Sequence, residues 1–138
     1  MRRFLGFLGA AVLLTAAGCG PRSAEVSGLV TLDGVPLTTG EVHFFPVAGD
    51  GQTAAANIGP DGRYHIDKAS PVKMKVVIHS SKVVSKRPRY EGVADSPIDE
   101  VREEVLPLRY SDMKKTELTA DLVAGENTVN FELKSDKK

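Results

Sequence analysis

The stretch Glu25-Val26-Ser27-Gly28-Leu29-Val30-Thr31-Leu32-Asp33-Gly34 decides the reading of the fold. Successive strand residues point to opposite sides, so Val26, Gly28, Val30 and Leu32 share one face while Ser27, Leu29 and Thr31 share the other. That alternation predicts a strand with one buried face. Asp33-Gly34 directly after it signals a tight turn, because glycine reaches left-handed backbone angles at little cost. Pro36 and Gly40 close a loop before Glu41–Val47, where Val42 and Phe44 point inward and His43 and Phe45 outward. Pro46 there asks for a sheet edge or a bend.

The same rhythm continues outward. Thr53 to Ile58 reads as a strand of small residues and Arg63 to Asp67 as its return, so Gly59-Pro60-Asp61-Gly62 is expected to close a hairpin. Val72, Met74, Val76 and Ile78 form the clearest amphipathic strand, with Lys73, Lys75 and His79 opposite. Lys82 to Leu108 breaks the pattern and reads as one long loop, basic at Lys82, Lys86, Arg87 and Arg89, then acidic at Asp95, Asp99, Glu100, Glu103 and Glu104. Within it Ser96-Pro97-Ile98-Asp99 has the form of a helix start, and Ile98, Val101 and Val105 have helical spacing. A short helix near residues 97–106 is therefore expected. Two last strands, Glu117 to Val123 and Thr128 to Leu133, flank the turn Gly125-Glu126-Asn127, and 135–138 reads as a frayed tail. About seven short strands with a turn every eight to twelve residues or so predict an all-β chain, a single antiparallel β-sandwich of prealbumin-like or immunoglobulin-like type. Its core should hold Val30, Val42, Phe44, Tyr64, Val76, Leu118, Val129 and Phe131.

The N-terminus carries a different signal. Arg2 and Arg3 precede an uncharged apolar run from Phe4 to Ala17, which has the form of a signal-peptide core. It is shorter than the roughly 20 residues a membrane-spanning helix needs and ends in small residues instead of a basic stop. Ala16-Ala17-Gly18-Cys19 resembles the bacterial lipobox, with Ala16 where leucine is usual. The resemblance implies cleavage after residue 18 and attachment of diacylglycerol and fatty acid such as palmitate to Cys19, the single cysteine of the chain. Residues 19–24 then form a lipid-anchored spacer and 25–134 the sandwich. The expected location is the cell envelope, on the extracytoplasmic side, in the periplasm or at the outer membrane. Acidic and basic residues balance over the whole chain, and a leader that carries Arg2 and Arg3 but no acid leaves the remainder slightly acidic. Such a domain lacks the electrostatic footprint of a nucleic-acid binder.

Particular residues also resemble a family. Val30-Thr31-Leu32-Asp33-Gly34-Val35-Pro36-Leu37, Gly40-Glu41-Val42-His43-Phe44-Phe45-Pro46 and Asp61-Gly62-Arg63-Tyr64 are similar to the opening of carboxypeptidase regulatory-like (transthyretin-like) domains of small bacterial lipoproteins. Leu106-Pro107-Leu108-Arg109-Tyr110 and the run from Leu118 to Leu133 are similar to the second half. Pro71-Val72-Lys73 departs from the Pro-Gly-Lys-like turn usual there. The resemblance implies an accessory, structural or binding module, in a group of lipoproteins most of which have no established activity.

Catalytic chemistry finds little support in the residue pattern. His43, His65 and His79 fall on outward strand positions; His65 and His79 could meet across neighbouring strands, but no Cys, Asp or Glu recurs beside them at ligand spacing, so neither a metal nor another cofactor is expected. Ser80, Ser81 and Ser85 near His79 lack any nucleophile motif. The hydroxyisourate hydrolases of transthyretin-like fold carry a closing Tyr-Arg-Gly-Ser signature, whereas this chain ends Phe131-Glu132-Leu133-Lys134-Ser135. The expectation is thus a non-enzymatic, lipid-anchored envelope module, structural or protein-binding, touching the membrane through its lipid and an envelope protein or glycan through its surface. Carbohydrate binding is the second reading, though the chain has no Trp, and a hydrolase is a distant third. The residues singled out for surface contact are Phe45, Tyr90, Arg87 and Arg89, with Tyr110 as a packing residue that pins the long loop.

Overall fold

The computed structural model describes residues 22–136; the expected leader and Cys19 lie outside that range. The regular structure of the described residues is nearly all strand, in the order β1 (Ala24–Leu32), β2 (Val35–Pro36), β3 (Glu41–Pro46), β4 (Ala54–Asn57), β5 (Arg63–Ala69), β6 (Lys73–His79), β7 (Ser81–Pro88), β8 (Ile98–Glu104), the short helix α1 (Leu108–Ser111), β9 (Thr119–Asp121), β10 (Gly125–Thr128) and β11 (Phe131–Leu133). Two sheets face each other. In the first, β1 is central, with β5 and β2 antiparallel to it and β10 and β11 parallel to it. The second has the order β4-β3-β6-β9 and is wholly antiparallel.

The all-β sandwich expected from the alternation is what the chain forms. Ala24, Val26 and Val30 of β1 are fully buried, as are Val42 and Phe44 of β3 and Met74, Val76 and Ile78 of β6. Phe44 from the second sheet meets Tyr64 and Phe131 from the first at ring-centroid distances of 6.1 and 6.3 Å, so an aromatic triad joins the layers. Leu118 and Val129, expected in the core, are half-buried and pack against its rim. Asp33 and Gly34 both take left-handed angles, φ 50° and 84°, in the two-residue turn between β1 and β2.

Gly28 has a second use. A Cβ there would lie 1.8 Å from the Val129 carbonyl oxygen, so only glycine lets residues 129–130 cross close to β1 between β10 and β11. The Tyr64 hydroxyl donates to that same carbonyl at 2.6 Å, and burial raises the phenol's pKa.

Four local expectations change. β4 and β5 do not pair with each other: β4 lies on β3 and β5 on β1, so Gly59-Pro60-Asp61-Gly62 is a corner between the sheets. The alternating residues of β4 and β5 both have an inward face to cover, and placing them in opposite layers covers both. The sheet around β1 is mixed, because the first and last segments of the chain run side by side in one direction. Gly125-Glu126-Asn127 opens β10 instead of forming the turn, and the Asn127 amide ties the corner just before it by donating to Val123 O at 2.8 Å and accepting from Val123 N–H at 3.0 Å. Finally, residues 82–108 are not a loop with a helix over 97–106. They form an antiparallel ribbon of β7 and β8, and the helix is the single turn α1 beyond it.

The physical reason for the ribbon lies in its cross-strand partners. Lys82 faces Glu103, Lys86 faces Glu100 and Arg87 faces Asp99, so the charge reversal along the sequence becomes charge pairing across the ladder. Ser96 does not cap a helix. Its hydroxyl accepts the Tyr90 N–H at 2.9 Å, and Pro97 O accepts the Arg89 N–H at 2.8 Å, which closes the ribbon's end. Ser135 and Asp136 of the expected tail are also tied, Ser135 N–H to Asp33 at 3.1 Å and Asp136 to Arg109.

Candidate functional site

The fold has two ends, and β1 defines them. Its first residue, Ala24, stands five positions after Cys19, a span of at most about 17 Å of extended chain. At its other end Leu32 and Val35 line one recess together with Lys82 and Val105 from the root of the ribbon. Nine strand residues at about 3.3 Å each separate the two ends by roughly 30 Å. The ribbon therefore leaves the sandwich at the end remote from Ala24.

Its root is fixed. Glu104 accepts the Ser80 N–H at 2.7 Å, the Val105 N–H donates to Ser80 O at 2.7 Å, and the buried Ser80 hydroxyl donates to Thr39 O at 2.8 Å. Beyond the root, its two strands pack chiefly on each other. Val84, Tyr90, Val93 and Ile98 are exposed along it, Tyr90 by 57%. Arg89 makes a forked contact with Asp99, 2.8 Å at Nη2 and 3.2 Å at Nε. This hydrogen-bonded pair raises the Arg89 pKa and holds the Asp99 carboxyl below the usual aspartate range.

Three of the surface residues singled out from the sequence thus share the ribbon: Arg87, Arg89 and Tyr90. Phe45 does not join them. It is half-buried on the outer face of β3, where its ring lies 6.2 Å from that of His43 with 16° between the planes. Tyr110 pins the chain after the ribbon, its hydroxyl accepting the Lys134 N–H at 3.0 Å while the Arg109 guanidinium lies 4.9 Å from its ring centroid.

The histidines point outward as expected, but the pairing differs. His65 lies in the first sheet near Glu25 and Asp67, and it is His43 and His79 that meet, 5.8 Å apart edge to face. The register explains why: Asn57, Glu41 and His79 occupy one row across β4, β3 and β6. Thr39, Gly40, Ser81 and Arg102 rise around that row and enclose a recess of about 320 Å³. Each ionisable lining side chain is held by a partner. Glu41 lies 3.1 Å from His43 Nε2, His79 Nδ1 lies 3.7 Å from Glu104, and Arg102 donates to Glu100 at 2.9 Å. The Ser81 hydroxyl makes no hydrogen bond to the His79 ring, so Ser81, His79 and Glu104 are not linked as a nucleophile relay. No three His, Cys, Asp or Glu side chains among the described residues converge as metal ligands.

Sequence reasoning missed this recess because Asn57, Glu41, His79 and Arg102 come from four segments, and only the register makes them neighbours. No family model, curated protein or solved structure matches the chain.

Proposed function

We propose that the protein is a lipid-anchored module of the bacterial cell envelope that holds its ribbon away from the membrane as a docking arm for another envelope protein. The observation that supports this most directly is the opposition of the two ends: a short spacer after Cys19 at one, and the ribbon with exposed Tyr90, Val93 and Ile98 at the other. An acyl chain contributes about 0.8 kcal/mol per buried methylene, so several chains on one cysteine form a stable anchor. A tether of four residues, 20–23, then keeps the near end of the sandwich at the lipid surface and the ribbon beyond it. Exposed apolar side chains on a narrow, charge-paired ladder suit a contact that buries the tip and leaves the strand edges wet. No catalytic step is assigned to the module.

The test combines fractionation with crosslinking. Cys19→Ala should move the protein from the membrane to the soluble fraction. A photoreactive residue at Tyr90 or Ile98 should crosslink in cells to a discrete protein, whereas one at Lys75 on the sandwich should not. Membrane partition unchanged by Cys19→Ala would overturn the anchoring, and equal crosslinking from all three positions would overturn the docking arm.

A further inference from the structure

The geometry points to a second binding site, for a short saccharide, in the recess where the ribbon meets the outer face of the second sheet. This inference rests on the lining side chains alone and is independent of the lipid anchor and the docking arm. The row Asn57, Glu41 and His79 offers an amide, a carboxylate and an imidazole side by side, and Arg102, Ser81 and Thr39 add a guanidinium and two hydroxyls above it.

The mixture selects the ligand class. A phosphate or other compact anion would meet the Glu41 carboxylate in the same row, with Glu104 close behind His79, and Arg102 is already shared with Glu100. An apolar ligand would strip water from these half-exposed polar groups without offering a hydrogen bond in return, which is costly. A neutral polyhydroxylated ring supplies donors to Glu41 and acceptors to Arg102 and Asn57 together. The volume of about 320 Å³ lies at the small end of the range for ligand sites, roughly 300 to 1,000 Å³, and suits a mono- or disaccharide.

His43, Glu104 and Glu100 lie beside Glu41, His79 and Arg102 and give each a nearby polar partner. The backbone beneath is tightly constrained: a Cβ on Gly40 would lie 2.4 Å from the His79 carbonyl oxygen, and Gly40 takes a φ of 141°. The half-exposed rings of His43 and Phe45 continue along β3 from the recess and offer a surface on which a second sugar ring can lie.

The experiment titrates the full-length protein in detergent micelles with maltotriose, with an N-acetylglucosamine trimer and with inorganic phosphate, each to about 10 mM, while amide and side-chain NMR signals are followed. Saturable shifts confined to Asn57, Glu41, His79 and Arg102 with one of the saccharides are expected. Asn57→Ala and Glu41→Ala should each weaken that binding about tenfold, the loss of one good hydrogen bond, while Glu132→Gln on the opposite sheet leaves it unchanged. Asn57→Ala is the decisive variant, because Asn57 is exposed on the edge strand β4 and its side chain supports no other part of the fold. Absence of saturable shifts with either saccharide, shifts elsewhere, or saturable binding of phosphate in their place would overturn the proposal.

Discussion

The sandwich and the ribbon are both β-structure, yet they are held by different forces. In the sandwich the long strands β1, β3, β5 and β6 each have a dry face, and its stability comes from apolar area removed from water around Phe44, Tyr64 and Phe131. In the ribbon no residue is fully buried, and the ladder is held by backbone hydrogen bonds and by pairs such as Lys86–Glu100 at 3.5 Å. Exposed ion pairs contribute little each, so the ribbon depends on its rooted base at Ser80 and Glu104. The comparison teaches that one chain can contain a rigid body and a weakly held arm of the same secondary structure, and that only the body should be sensitive to single substitutions.

The sharpest test is at Gly28. An added methyl group would collide with the Val129 carbonyl on the backbone itself, where no side-chain rotation gives relief. Gly28→Ala should destabilise the protein by about 4 kcal/mol or more, in the exceptional range for one methyl group, as read by denaturant unfolding. A change below about 1 kcal/mol would mean that the C-terminal segment does not cross β1 there. Phe131→Ala follows, with an expected loss of about 3 to 5 kcal/mol from an emptied triad, against about 0.5 kcal/mol or less for Ile98→Ala on the ribbon. Comparable losses at the two positions would erase the distinction between body and arm.

That distinction also explains what could be read from the sequence. Val26, Val30, Val42, Phe44, Met74 and Val76 alternate because each strand turns one face to the core, although Val77 on the other face of β6 is buried as well, and a period of two is visible without knowing the partner strand. Asp33-Gly34 was equally legible, since its turn is local. The ribbon has no buried face, so nothing imposes alternation on Ile98, Val101 and Val105, and their spacing matches a helix by coincidence. Their conformation follows from the backbone ladder with β7 and the opposite charges it sets across from them, which is long-range information. The corner at residues 59–62 was hidden for a related reason: the residues that close a hairpin also serve to pass the chain between sheets, and pairing to β1 or β3 is settled by packing. The recess required still more, because its four principal side chains converge only through register.

Removing the arm should sharpen the contrast further. With residues 83–103 replaced by a short turn and Ser80, Ser81 and Glu104 retained, the remaining sandwich should still unfold in one cooperative transition. Its midpoint should lie within a few degrees, about 5 °C, of the original, since shortening an exposed connection changes loop entropy only slightly. Loss of cooperative unfolding would show that the ribbon is an integral part of the core.

The smallest expected effect is an acid-induced opening of the ribbon that leaves the sandwich intact. Asp99 is held below the usual aspartate range by its hydrogen bonds to Arg89, and Glu100 is lowered first by Arg102 and then by Lys86. A carboxyl whose folded pKa is depressed stabilises the structure above its unfolded value, about 4, and loses that contribution as the pH falls through the lower folded value. The Arg89 and Tyr90 amides, bonded to Pro97 O and the Ser96 hydroxyl, should therefore lose hydrogen-exchange protection on acidification from pH 5 to about 3, after correction for intrinsic exchange. Val42 and Val76, at the centre of the antiparallel sheet, should keep theirs. Both groups of amides opening together would mean that ribbon and sandwich form one cooperative unit, and that the charge pairs along β7 and β8 have no separate role in holding the arm.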